Sequence, residues 1–254
     1  MIKVIINADD FGMSEAFNHG VIKGYKDGVV SSTTLMVNME AAEHAVALAK
    51  SFPDLFIGQH TNFVLGRPCS DPKNIPSLVD ENGYFFRSSE YRNGNRQFVY
   101  EDVKKETIAQ MEKFKKLLGY YPKHIEGHSA FGEAIEKAFY EIALEYDVHA
   151  SLFSKPLKGY EETISSIDIK SMMNIMSKGL SVENVVNDEL NILKCEGKVV
   201  EFHFHPGYID QFILDNSSLT LPRCKDLDTL CDKRVIKWFK EHDIKLVSFG
   251  DLKI

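Results

Sequence analysis

Val4-Ile5-Ile6-Asn7-Ala8-Asp9-Asp10-Phe11-Gly12 runs from β-branched residues straight into two carboxylates. The apolar run reads as a buried strand. Ser14 then offers an N-cap, residues 15–26 have helical period, and Gly28 stands just past the expected helix end. The unit is a strand, a polar strand end and a helix.

The same unit recurs outward from it. Residues 31–37 read as a strand, and the Ala-rich stretch 40–50 as a helix closed by Pro53. Leu55-Phe56-Ile57 is the next strand, running to Gly58-Gln59-His60. Residues 100–118 predict a strong helix, with Val103, Thr107, Met111, Phe114 and Leu118 as its core stripe. Residues 123–127 give a strand before His128, 134–146 a helix, and 148–153 a strand. Weaker helices are expected over 164–176 and 181–194. Residues 199–204 form a strand ending in His205-Pro206-Gly207. A polar loop over 208–226, a helix over 228–242 and a strand over 244–247 close the chain.

Repeated strand–helix units imply a parallel sheet with helices outside it. About seven strands in a chain of 254 residues suit one α/β barrel, or near-barrel, over residues 1–254. A doubly wound sheet is the runner-up, but the G-x-G-x-x-G fingerprint is absent after the first strand. Residues 63–98 break the rhythm, with Pro68, Pro72, Pro76, Asn82-Gly83 and Asn93-Gly94 as turn signals. A loop insertion this long is expected to serve as a lid or a substrate-binding excursion.

The net charge of -7 argues against nucleic acid or anionic membrane as a partner, since both call for clustered Lys and Arg. A local basic pocket for a sugar phosphate stays open. Cys69, Cys195, Cys224 and Cys231 show no C-x-x-C or zinc-finger spacing and read as bystander thiols of a cytoplasmic protein. The polar turn at Asn7 leaves too short an apolar run for a signal segment, and no run approaches the ~20 residues of a membrane span.

Four strand ends carry His or Asp: Asp9-Asp10, His60, His128 and His205. In α/β barrels the carboxyl ends of the strands converge on one face, so these side chains would meet. Two imidazoles and a carboxylate can hold a divalent ion while leaving positions for water and substrate. A further carboxylate can take a proton from water, and a further histidine can protonate a leaving nitrogen. Each residue alone has a blander reading, Asp10 as a helix cap and each His as a structural residue. Their coincidence at strand ends favours the metal site. His19, His44 and His242 fall inside helices as surface residues. His124 and His149 begin strands, away from this face.

These residues carry a resemblance to the YdjC-like carbohydrate deacetylases, which include chito-oligosaccharide deacetylases. Matching blocks are Asn7-Ala8-Asp9-Asp10-Phe11-Gly12, residues 29–39, Gly58-Gln59-His60-Thr61-Asn62, Gly66-Arg67-Pro68, residues 76–80, His205-Pro206-Gly207-Tyr208 and residues 246–252. The resemblance implies a distorted (β/α) TIM-like barrel, polysaccharide-deacetylase-like. It implies hydrolysis of the acetyl group from an N-acetylated amino sugar, such as a chito-oligosaccharide or diacetylchitobiose with or without a 6-phosphate. Asp10, His60 and His128 become metal ligands, Asp9 the general base and His205 the general acid. The resemblance points to Mg²⁺, whereas two imidazoles favour Zn²⁺ or Co²⁺.

One block departs from the family. Its D-S-H-x-H-x-H run is Glu126-Gly127-His128-Ser129-Ala130-Phe131 here, keeping the first His and losing the later ones. His203 stands where the family is apolar or Cys, and is read as a structural residue pointing away from His205. Tyr84, Phe85 and Phe86 would either stack on a sugar ring or anchor the loop. Rival readings are hydrolysis of another amide or a phosphoester, and a non-enzymatic sugar-binding protein on the same fold. The oligomeric state stays open, a homodimer being the commonest outcome.

Overall fold

The computed structural model describes residues 1–151 and 163–252. In chain order the elements are β1 (Ile2–Phe11), α1 (Glu15–Asp27), β2 (Ser32–Leu35), α2 (Ala42–Ala49), β3 (Phe56–Asn62), α3 (Ser88–Arg92), α4 (Tyr100–Leu118), β4 (His124–His128), α5 (Glu133–Tyr146) and β5 (His149–Ala150). After them come β6 (Thr163–Ile164), α6 (Ile169–Lys178), α7 (Val182–Val186), β7 (Val199–Phe204), α8 (Gln211–Asn216), α9 (Leu221–Leu230), α10 (Lys233–Glu241) and β8 (Ile244–Leu246). All strand pairings are parallel, in the order β5-β4-β3-β2-β1-β7-β6. β8 pairs with the start of β1 at Ile2, Lys3 and Val4. The result is a curled, barrel-like sheet with helices packed outside it, as expected.

The elements follow from local chemistry. Ser14 caps α1 by accepting from the Phe17 N–H. Gly119, at φ +88°, ends α4 in a left-handed turn. The apolar outer face of the sheet, including Ile6, Ala8, Phe202 and Phe204, joins Phe17, Val21, Ala45 and Val235 of the helices in the main core. A second core joins Val103 and Met111 of α4 to Ile135, Phe139 and Ile142 of α5. None of the described helices is long and apolar enough to cross a membrane.

Several boundaries differ from the sequence expectation. The strand expected over 148–153 appears as His149–Ala150, and its far end lies outside the described residues. Residues 163–164 form β6 rather than the start of a helix, which begins after Asp168 caps it. The helix expected over 181–194 is only α7, followed by a 3₁₀ turn. The supposed polar loop 208–226 contains α8 and most of α9. Pro222, at the start of α9, lacks an N–H the first turn does not need. The helix expected over 228–242 breaks at Asp232, which caps α10 through the Arg234 N–H.

The 63–98 insertion is tied down by a polar stripe on α4. Asp102, Glu106 and Gln110 stand four residues apart, so they share one helix face. Asp102 accepts from Ser77, Glu106 from the Cys69 and Ser70 N–H groups, and Gln110 brackets Asn62 through both its N–H and C=O. Phe85 is buried in the α4–α5 core and anchors the loop. Tyr84 is exposed beneath the Arg67 guanidinium, 4.0 Å away.

Candidate active site

Successive strand residues face opposite sides of a sheet, so Asp9 and Asp10 should diverge. They do not, because the β1–β2 register shifts between Ala8 and Phe11 and Asp10 takes φ +66°. A bulge with a left-handed non-glycine residue re-aims a side chain, at a cost of order 1–3 kcal/mol. Both carboxylates therefore reach the same interior.

Asp10 Oδ1 lies 2.7 Å from His128 Nδ1 and 3.0 Å from His60 Nε2, and the two ring nitrogens are 3.2 Å apart. All three residues are buried. Arg223, which sequence reading missed, closes the group: its Nη1 donates to Asp10 Oδ2 at 2.8 Å. It is buried over the Phe17 ring and also donates to Leu219 O and Ser217 Oγ. Burial alone would raise the Asp10 carboxyl, but the His128 and Arg223 charges hold it well below the usual range. Burial likewise opposes a charge on His60, yet its bonds to Asp10 and Glu126 push it up to about 10.

Glu126 was also missed, although it stands two residues before His128 and so faces the same way. Its Oε1 is 2.9 Å from His60 Nδ1, and accepts from Asn7 Nδ2 at 3.1 Å and from the Thr34 hydroxyl. This partner turns His60 Nε2 toward Asp10, as a carboxylate commonly does for a ligating imidazole.

Asp9 Oδ1 accepts from Asn7 Nδ2 at 2.7 Å, and Asp9 Oδ2 lies 4.0 Å from His205 Nε2. Burial pushes His205 down to about 4, so its ring is neutral at pH 7. His203 corrects the sequence reading: residues two apart on a strand share a face, and His203 points inward beside His205. Its Nδ1 lies 2.7 Å from Glu126 Oε2 and 3.3 Å from Asp9 Oδ1.

Two supports hold His205 in place. Its N–H donates to Asp226 Oδ2 at 3.0 Å, while Asp226 Oδ1 accepts from Leu180 N at 2.7 Å. Burial pushes Asp226 up to about 6, whereas an unfolded Asp titrates near ~3.9. Between these values the native chain holds a proton the unfolded chain has lost. The resulting stability is complete below about pH 4 and is lost as pH rises through about 6. Urea midpoints of Asp226→Asn should therefore fall less steeply than wild type over this window; an identical slope would assign the dependence elsewhere.

Gly207 is the second support. A Cβ there would lie 1.9 Å from Phe17 Cδ2, and one on Gly20 only 2.5 Å from Gly207 Cα. The turn after Pro206 thus packs directly on α1. Gly207→Ala should cost about 1–3 kcal/mol in urea unfolding by overpacking, and a neutral result would mean the turn can move away.

A cavity of about 400 Å³ opens over Asp10, His128 and His205. The insertion contributes Arg87, Ser88, Ser89 and Arg92 to its wall. Tyr84, Phe85 and Phe86 are not among its lining residues.

A curled parallel sheet with imidazoles and carboxylates gathered inside its carboxyl end has the polysaccharide-deacetylase type of α/β fold. A family 4 acetyl xylan esterase from Clostridium thermocellum shares the fold at TM-score 0.52 and 12% identity, over 98% of this chain and 89% of that one. A solved protein from Enterococcus faecalis V583, named for cellobiose-phosphate cleavage, matches at TM-score 0.84 and 28% identity, covering 98% of each chain. The chain belongs to the YdjC-like protein family, whose sequence profile matches residues 3–241. The carbohydrate deacetylase of Clostridium beijerinckii is 36% identical over 99% of this chain and 100% of its own length. Carbohydrate deacetylase 2 of Listeria innocua is 34% identical over 99% of each.

Proposed function

We propose that this chain is a metal-dependent carbohydrate deacetylase acting on an N-acetylated amino sugar. The observation that carries the reading is the Asp10–His60–His128 triad beside a carboxylate and an imidazole outside it, Asp9 and His205, with a cavity opening over Asp10, His128 and His205. The names of the relatives agree with it.

The triad suits a divalent ion: its ligand atoms lie within 4.8 Å of one another, and Arg223 and Glu126 orient two of the three side chains. A divalent ion held there supplies positive charge that polarises the acetyl carbonyl and acidifies water. The mixed nitrogen and oxygen donor set favours Zn²⁺ or Co²⁺, while the family resemblance favours Mg²⁺.

The remaining steps belong to side chains. Asp9, held by Asn7, takes the proton from the attacking water. His205 protonates the departing amine. Because its ring is neutral at pH 7, His205 must first acquire that proton, and Asp9 Oδ2 is 4.0 Å from its Nε2. That gap exceeds hydrogen-bond reach, so a substrate atom or water completes the path. Acetate and a free amino sugar are the products.

The finer reading is a chito-oligosaccharide such as diacetylchitobiose, and Arg87 and Arg92 on the cavity wall favour its 6-phosphate. Loss of one charged hydrogen bond is worth about 1.5–3 kcal/mol. Arg92→Ala should then raise KM for the phosphorylated sugar at least about tenfold and leave the unphosphorylated one unchanged; equal effects on both would remove Arg92 from phosphate recognition.

The direct test is acetate release from N,N′-diacetylchitobiose and its 6-phosphate by chelator-stripped protein, with Mg²⁺, Zn²⁺ or Co²⁺ restored. Metal-dependent release from either sugar is expected. Release that is unaffected by stripping, or absent with every metal, would overturn the reading.

A further inference from the structure

Asp10 meets His60 and His128 in a left-handed conformation, at φ +66°. Such a residue persists only where its surroundings over-determine it. The contacts that fix the turn over residues 10–13 therefore bear on the aim of the carboxylate. Two are backbone bonds: the Met13 N–H donates to Asp10 O at 3.0 Å, and the Met36 N–H to Phe11 O at 2.7 Å. The third comes from a side chain, since Asn18 Oδ1 accepts from the Gly12 N–H at 2.6 Å. No other side chain among the described residues hydrogen-bonds to the backbone of this turn.

Asn18 stands near the start of α1 and is completely buried. Its Nδ2 donates to Ala41 O at 3.0 Å and lies 3.1 Å from His44 Nδ1. A plain tie between α1 and the start of α2 would need only that end of the amide. It does not explain why the oxygen turns back on Gly12. That residue sits at φ +95°, packed so closely that a Cβ would lie 3.0 Å from Leu35 Cδ1 and 3.1 Å from Met36 O. The buried Gly12 N–H would be costly to leave unpaired, and Asn18 supplies its acceptor two residues past Asp10.

We propose that Asn18 is a positioning residue for the metal centre. By holding the Gly12 N–H it keeps the turn in the conformation that presents Asp10 Oδ1 to His60 and His128. The inference rests on the reading of Asp10, His60 and His128 as ligands of a divalent ion. Loss of a partner that orients a ligand commonly weakens metal binding about 10–100-fold.

Two near-isosteric variants separate this role from a helix tie. Asn18→Leu loses both ends of the amide. Asn18→Asp loses the donor to Ala41 but keeps an oxygen for Gly12. Zinc Kd is measured on chelator-stripped protein by competition with a chromophoric chelator. It should rise about tenfold or more in Asn18→Leu and stay within about threefold of wild type in Asn18→Asp. The visible spectrum of Co²⁺-loaded protein reports coordination geometry. It should change in Asn18→Leu and match wild type in Asn18→Asp. Circular dichroism checks folding; should Asn18→Leu not fold, Asn18→Ala replaces it with the same expectation. Unchanged zinc affinity in Asn18→Leu, or an equal loss in both variants, would overturn the proposal. Wild type that binds no zinc would sink the metal-centre reading itself, and this proposal with it.

Discussion

Asp9→Asn is expected to lower kcat for sugar deacetylation by about 10²–10⁴-fold, the range for loss of a general base. The amide is nearly isosteric with the carboxylate and can still accept from Asn7, whose Nδ2 holds Asp9 Oδ1 at 2.7 Å. What it cannot do is take a proton from water. The Asp10, His60 and His128 donors are untouched, so zinc bound by that triad should persist. KM should change little, because the lost step belongs to the transition state. Steady-state kinetics beside zinc binding at the triad checks both halves. Turnover within about threefold of wild type would remove Asp9 from the reaction; loss of triad zinc would make it a structural support instead.

Arg223→Met should produce the largest change in stability. It leaves Asp10, completely buried, without the guanidinium that donates to Oδ2 at 2.8 Å. Breaking one side of a buried ion pair costs about 3–5 kcal/mol, since the remaining charge is neither solvated nor paired. The loss should appear in urea unfolding of metal-stripped protein. Saturating Zn²⁺ should recover part of it, because a cation at the triad pairs with the same carboxylate and binds the native state selectively. A loss below about 1 kcal/mol would mean that His60 and His128 already neutralise Asp10. A full loss with no recovery by zinc would argue against a cation at Asp10.

The parts of the site that were legible in the sequence are those set by position along one strand or helix. That Asp9, Asp10, His60, His128 and His205 would gather was readable because strand ends converge in a barrel, and α4 because its apolar spacing is local. The stripe Asp102, Glu106 and Gln110 was equally local, at four-residue spacing, and reveals how the insertion is fastened. His203 and Glu126 carried a usable signal too, since each stands two residues from a residue expected at the site and shares its face.

Arg223 had no such signal. It meets Asp10 across 213 residues, and its helix lay in a segment polar enough to read as loop. Asn7 meets Glu126 across 119 residues, and Asp9 and Asp10 reach the same interior only because β1 bulges. The sequence by itself determined the alternation of strands and helices and the chemistry waiting at the strand ends, because hydrophobic period and side-chain type are properties of short segments. Only the tertiary structure decided which charges neutralise one another and which imidazoles face which carboxylates. Those choices depend on how the sheet curls to bring β1, β4 and β7 around one interior, and no single segment encodes that curvature.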